Sequence, residues 1–286
     1  MNSTARWSAV AFIAAVLAST SAFAEPDTFF LGNGHSGALV VNAAGTQINV
    51  ATGISAALTA GTSTVPVLSS TSFVAGDLVL VLQHGLIEGE ATDNAGRFEY
   101  ARVQSTTATS VTLTAPLVGA FGTTSQLVRV PEYTTVTVNL GASITAPPFN
   151  GVAGGVVAFF ATGAVDNAGA ITAAGRGFRG GIAAARTCAQ SAASGEGLVL
   201  SRFPTTTASI AINGGGGGAC TTVPIVGASG LGGGGGGGAG GGGVGLGLNA
   251  VLGGPGGTGV TRNSTRLLFG GGGGAGHSLG AGVSGG

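Results

Sequence analysis

A mainly β chain is the fold class this sequence predicts: a small β-barrel or sandwich, then short β-solenoid-like rungs, then a glycine-rich region suited to a polyglycine II helix bundle. Three observations predict it. Through the first half, short runs of Val, Thr, Leu, Phe and Tyr are divided by Gly, Asn and Pro, as strands joined by tight turns require. Between 131 and 181 a strand–turn–strand cadence recurs, which stacked turns of a solenoid would produce. Beyond that, 35 of the 59 Gly fall within 214–286, against about 7% Gly in an average domain. Glycine brings no side chain, so any core there must be backbone packed on backbone.

The N-terminus places Arg6 before an apolar run from Trp7 to Ala18, then Ala22-Phe23-Ala24. This is the layout of a secretory signal peptide over 1–24, with Glu25 as the first mature residue. The run is shorter than the about 20 residues a membrane-spanning helix needs. No transmembrane segment is expected after signal cleavage. Ten basic residues, all Arg, balance ten acidic ones. A neutral chain without a basic cluster cannot capture nucleic acid by charge. Cys188 and Cys220 both lie in the mature chain. In an oxidising compartment they are candidates for one disulfide, worth about 2–4 kcal/mol. Two free thiols are the alternative, and neither cysteine has CxxC or zinc-ligand spacing.

The β-rich domain spans 25–130. VPVLSSTSFVAGDLVLVLQHG reads as strand, turn, strand, with Ala75-Gly76-Asp77 at the turn and Asp77 bracing it. In RFEYARV, Phe98, Tyr100 and Val103 are read as the apolar face, with Arg97, Glu99 and Arg102 toward water. Val111 and Leu113 alternate inward in SVTLTAPL. The stretch from Val65 to Val130 holds most of the conventional core material. The next segment, 131–181, is solenoid-like or a plain meander. VTVNLGASITA and VVAFFATGAVDNAGAITAAG each make a strand–turn–strand unit. The earlier LVVNAAGTQINVATG shares their cadence as a candidate further rung.

The glycine-rich region covers 182–286. Its glycine runs are interspersed mainly with Ala, Val and Leu, whereas flexible linkers are usually polar. Polyglycine can form an extended helix with three residues per turn, and its donors and acceptors face outward to neighbouring helices. Gly232–Gly243, interrupted only by Ala239, would extend roughly 37 Å at 3.1 Å per residue. Isolated runs would be disordered, since glycine loses most backbone freedom on ordering; mutually packed runs would be ordered. Both readings stand at this point. Collagen is excluded by the lack of a sustained Gly-X-Y period.

Few residues suggest chemistry. GRGFRGG lacks the GxxxxGK[ST] spacing of a phosphate-binding loop and reads as a turn, with Arg176 and Arg179 solvated. His35, His84 and His277 are far apart, and metal ligation needs several ligands together. His84 is followed by Glu88, Glu90 and Asp93 in what reads as a hydrophilic loop. Asp166 reads as a turn residue. GxSxG is absent, and Ser194-Gly195-Glu196 only superficially suggests a nucleophile. No catalytic, cofactor-binding or metal-binding residues are assigned, and no cofactor is expected.

Six segments carry a family resemblance: Phe73–His84, Ser110–Leu117, Val130–Val138, Gly154–Val165, Ile171–Gly181 and Leu267–His277. GRGFRGG and LLFGGGGGAGH are the more specific among them. The pattern resembles secreted glycine-rich proteins of myxobacteria and related bacteria. The glycine runs are also similar to polyglycine bundles of some phage tail-tip adhesins. The resemblance implies a surface or adhesion component and supplies no catalytic residues.

The expected function is therefore a non-catalytic, secreted structural or adhesion module at the cell surface or in extracellular matrix. The alternative is carbohydrate binding or surface modification through the β-rich domain. Exposed Tyr100 or Tyr133 beside carboxylates in a groove would favour that alternative. Expected partners are a surface glycan or protein, and further copies of the chain through uncapped glycine edges.

Overall fold

The computed structural model describes residues 29, 31–87, 91, 94–181, 195–198 and 266–273. Residues 1–24, Glu88, Glu90, Asp93, Cys188, Cys220, His277 and the runs 214–218 and 232–243 lie outside the described residues. The expected signal, disulfide and polyglycine runs therefore fall there too.

The described chain is built from strands. β1 (Ala38–Val41) comes first, followed by β2 (Val50–Gly53), β3 (Thr64–Pro66), β4 (Leu78–Gln83), β5 (Phe98–Thr107), β6 (Ser110–Leu113) and β7 (Ser125–Val130). Strands β2 to β7 make one six-stranded sheet in the order β2-β7-β4-β5-β6-β3, and every pairing in it is antiparallel. The sheet curls until its edge strands meet. Ser55 N–H donates to the Pro66 carbonyl at 3.0 Å, Leu68 N–H to the Gly53 carbonyl at 3.0 Å, and Ile54 bridges Val67. This seam makes it a small, curled barrel, one of the two forms, barrel or sandwich, that the sequence predicts.

Strand β4 sits near the middle of the sheet and is buried along its whole length. Its LVLVLQ sequence is a continuous apolar run rather than an alternating one, because both faces are covered. Val79 and Val81 point into the barrel with Val65, Val111, Leu113 and Leu127. Leu78, Leu80 and Leu82 point outward, beneath Phe149, Phe178, Leu198 and Phe269. The turn into β4 follows expectation: Gly76 has φ of 92°, and an Asp77 carboxylate oxygen accepts the Val74 N–H at 2.8 Å.

β5 corrects one assignment. Phe98 and Tyr100 pack on the outer core, whereas Ala101 and Val103 belong to the barrel interior. Both faces of this strand are therefore apolar in part. Arg102 is not simply solvated: its guanidinium bonds the buried Glu132 at 2.8 and 3.1 Å.

After β7 the pairing becomes parallel. β8 (Glu132–Tyr133), β9 (Thr135–Val138) and β10 (Ser143–Thr145) form one turn of a stack; β11 (Phe160–Ala161), β12 (Val165–Asn167) and β13 (Ala170–Thr172) form the next. Phe160 lies beside Glu132, 28 residues earlier. These are the solenoid-like rungs. β1 also belongs to the stack, with Leu39 opposite Val136 and Thr46 bridging Ile144. The barrel is thus inserted between the first and second turns, instead of simply preceding the stack. Val41, Ile48, Val136, Val138 and Ile144 fill the stack's interior.

Buried polar side chains tie barrel to stack. Asn49 donates to the Arg129 and Ala158 carbonyls at 3.0 and 2.7 Å and accepts the Ala158 N–H at 3.1 Å. Gln126 exchanges two hydrogen bonds with the Gly154 backbone at 3.0 and 2.8 Å. Each satisfies backbone groups that the junction would otherwise strand away from water. Among the described residues no helix is long and apolar enough to cross a membrane.

Candidate functional site

Two places combine unusual geometry with accessible chemistry. The first is a cleft of about 300 Å³ where barrel meets stack. The turn into β4 supplies Val74 and Asp77, the end of β7 supplies Arg129, and the approach to β1 supplies His35 and Ser36. Glu132 also borders it but is already committed. Its carboxylate is buried, takes both guanidinium nitrogens of Arg102, and accepts the Asn33 N–H at 3.0 Å. That compensation lets a carboxylate sit in the junction.

The remaining groups have capacity to spare. Asp77 spends one oxygen on Val74 N–H. Ser36 Oγ accepts the Glu132 N–H at 3.1 Å, leaving its own O–H to donate. Among the described residues, the half-buried Arg129 guanidinium takes part in no hydrogen bond or ion pair, and its charge acts on Tyr133. His35 is exposed; its backbone N–H bonds Asn33 Oδ1 at 2.9 Å. The cleft thus offers a planar cation, a carboxylate oxygen, a hydroxyl and an imidazole.

The second place is a joint of three glycine-bearing segments: 177–181, 195–196 and 270–273. Phe178 N–H donates to the Gly270 carbonyl at 3.1 Å, and Gly181 N–H to the Gly273 carbonyl at 2.7 Å. Gly272 N–H donates to the Glu196 carbonyl at 2.8 Å, and Glu196 N–H to the Arg179 carbonyl at 2.9 Å. Each segment therefore bonds both others. Along the first pair the bonds recur every third residue, the period of an extended glycine helix. A Cβ on Gly272 would run into the Arg179 carbonyl, and one on Gly195 into the Gly272 carbonyl. Glycine is needed here for close approach rather than for a left-handed turn.

Side chains lock this joint. The Arg179 guanidinium pairs with the buried Glu196 carboxylate, which also accepts the Arg179 N–H at 2.9 Å. That bonding, above all the side-chain hydrogen bond, raises the Arg179 pKa further. Arg179 is therefore not the solvated turn residue its sequence context suggests. Glu196 has no local signal in the sequence; only the fold brings it to Arg179. A cleft of about 620 Å³ runs beside the joint, walled by Phe149, Phe178 and Gly270–Gly272.

The expected site residues disperse. His84 is not solvated as its hydrophilic sequence context suggests. It is buried between Phe149, edge-on at 4.9 Å, and Phe269, stacked at 6.0 Å. Neither ring nitrogen has a hydrogen-bond partner among the described residues, and burial lowers its pKa to about 4. Tyr133 is 8% exposed within the stack core, and Tyr100 is wedged among Phe98, Phe160 and Phe29. Neither tyrosine forms the open platform a sugar ring would stack on. Burial raises both phenol pKa values, with Arg129 opposing the effect at Tyr133. Among the described residues, no three of His, Cys, Asp and Glu gather as metal ligands would.

No family model and no curated protein matches the chain. Solved structures match part of the chain. The tailspike gp61 of Pseudomonas phage phi297 is 13% identical with a TM-score of 0.25, over 48% of this chain and 25% of that one. The Gp54 tailspike of Acinetobacter baumannii bacteriophage AP22, solved with a capsular saccharide, is 10% identical with a TM-score of 0.28, over 47% and 27%. The tailspike gp49 of Pseudomonas phage LKA1 is 12% identical with a TM-score of 0.24, over 38% and 26%. The chain spans about a quarter of the length of each.

Proposed function

We propose that this chain is a non-catalytic structural or adhesion module that works outside the cell, with the barrel and stack as a mount for glycine segments. The observation that supports this is the joint. Gly270–Gly273 is hydrogen-bonded between two earlier segments, and Phe269 beside it is sunk into the core on the outer face of the barrel. A glycine segment held at both backbone and side-chain level transmits force to the barrel. Its function would be multivalent contact, with exposed loops touching a partner and the glycine packing fixing their spacing.

The test is mechanical. Beads coated with the mature chain are placed under flow on surfaces bearing polysaccharide or the same chain. Retention well above albumin-coated beads is expected. Retention equal to albumin on both surfaces would remove the adhesion reading.

A second reading has its own observation. The junction cleft carries Arg129, Asp77 and Ser36 with unspent hydrogen-bonding capacity, the complement a polyhydroxylated ligand requires. In this reading the β-rich half binds carbohydrate directly, through polar groups rather than an aromatic platform.

A further inference from the structure

We propose that the junction cleft is a subsite for one acidic sugar residue, with the sugar carboxylate on Arg129 and its hydroxyls on Asp77 and Ser36. This rests on the carbohydrate reading above and narrows it to a ligand class. The cleft, about 300 Å³, lies at the lower end of small-molecule sites, which run from about 300 to 1,000 Å³. It has room for a single ring rather than a long chain segment.

The charges choose the ligand. Arg129 presents a planar fork of donors, which matches a carboxylate in two parallel hydrogen bonds. Glu132 does not compete for Arg129, because Arg102 and Asn33 already occupy its oxygens. Asp77 keeps an oxygen for a ligand hydroxyl, and its negative charge opposes a dianion such as phosphate. Ser36 keeps a proton to donate, since its oxygen already accepts from Glu132 N–H. One cation beside one carboxylate acceptor and one hydroxyl fits a monoanion rich in hydroxyls, which describes a hexuronate. The backbone positions of all three are set by the fold. Asp77 is fixed by its turn, Ser36 by its N–H on the Glu132 carbonyl and its Oγ on the Glu132 N–H, and the Arg129 backbone by its place in β7.

The test uses the isotopically labelled mature chain in solution. Galacturonate, galactose and acetate are titrated while the Arg129 Nε–Hε resonance is followed. Galacturonate is expected to saturate in the millimolar range, with galactose and acetate each at least tenfold weaker. Arg129→Gln should reduce galacturonate to the level of galactose, while thermal unfolding stays unchanged; Arg129→Lys should restore part of the preference. Acetate binding as tightly as galacturonate would overturn the sugar assignment. Equal binding of galacturonate and galactose, unaffected by Arg129→Gln, would overturn the acidic preference and leave the carbohydrate reading standing. No perturbation by either sugar would overturn both.

Discussion

The barrel and the glycine joint solve the same problem with opposite materials. In the barrel, side chains exclude water: Val79, Val81, Val111, Leu113 and Leu127 are at most 1% exposed. In the joint, backbones approach so closely that no Cβ fits at Gly195 or Gly272, and hydrogen bonds among Phe178, Gly181, Glu196 and Gly272 replace side-chain packing. The first gains stability in proportion to apolar area removed from water. The second gains about 1 kcal/mol net per hydrogen bond and opposes the large entropy that glycine loses on ordering. A side-chain core can therefore stand by itself, whereas a glycine joint needs a neighbour to fix its ends. Here Phe269 and the Arg179–Glu196 pair do so.

The largest expected effect breaks the barrel side of this contrast. Leu80 is fully buried in the central strand. Leu80→Ala should cost about 2–5 kcal/mol in denaturant unfolding, through lost transfer energy and the cavity left behind. A loss below about 1 kcal/mol would mean that the covering layer over β4 is not packed as described.

The next effect probes the contact between the two regions. His84 sits in the barrel's outer core against Phe269, which leads into the joint. Burial lowers its pKa from 6.5 to about 4. The unfolded chain therefore takes up a proton that the folded chain resists. The stability of the neutral ring is whole above pH 6.5 and is lost as pH falls through about 4, an amount of about 3 kcal/mol. Wild type should lose that much more stability than His84→Phe between pH 7 and pH 4. Equal losses in the two proteins would place His84 in a wetter site.

The smallest effect is local to the joint. Gly272→Ala puts a Cβ against the Arg179 carbonyl. The expected outcome is faster amide exchange, by at least tenfold, at Phe178, Gly181 and residue 272 itself. Exchange at Leu80 and Val81 in β4 should not change. Uniform loosening of both regions would show that joint and barrel open as one unit.

Much of the barrel can be read locally. The apolar run at Leu78–Leu82, the Ala75-Gly76-Asp77 turn and the alternation through Val111 and Leu113 each declare a strand or turn within a few residues. The rung cadence after Pro131 is legible for the same reason, because stacked turns repeat a local pattern. The insertion of the barrel is legible only in part: LVVNAAGTQINVATG shows the rung cadence ahead of the barrel, but not the strand it pairs with. Leu39 meets Val136 across 97 residues, and periodicity carries no information about such partners. The candidate cleft is hidden likewise, since His35, Asp77 and Arg129 come from three separate segments. His84 misleads because acidic residues follow it in sequence, while β4 turns its ring toward Phe149 and Phe269. Glu196 emerges only through its pairing with Arg179.

Backbone hydrogen bonds hold Gly270–Gly273 to the fold. Amide exchange of the chain tests this most directly, read at Phe178, Gly181, Glu196 and Gly272. Exchange at least a hundredfold slower than in a random chain is expected at all four. Random-chain rates there, alongside slow exchange in β4 and β7, would contradict it.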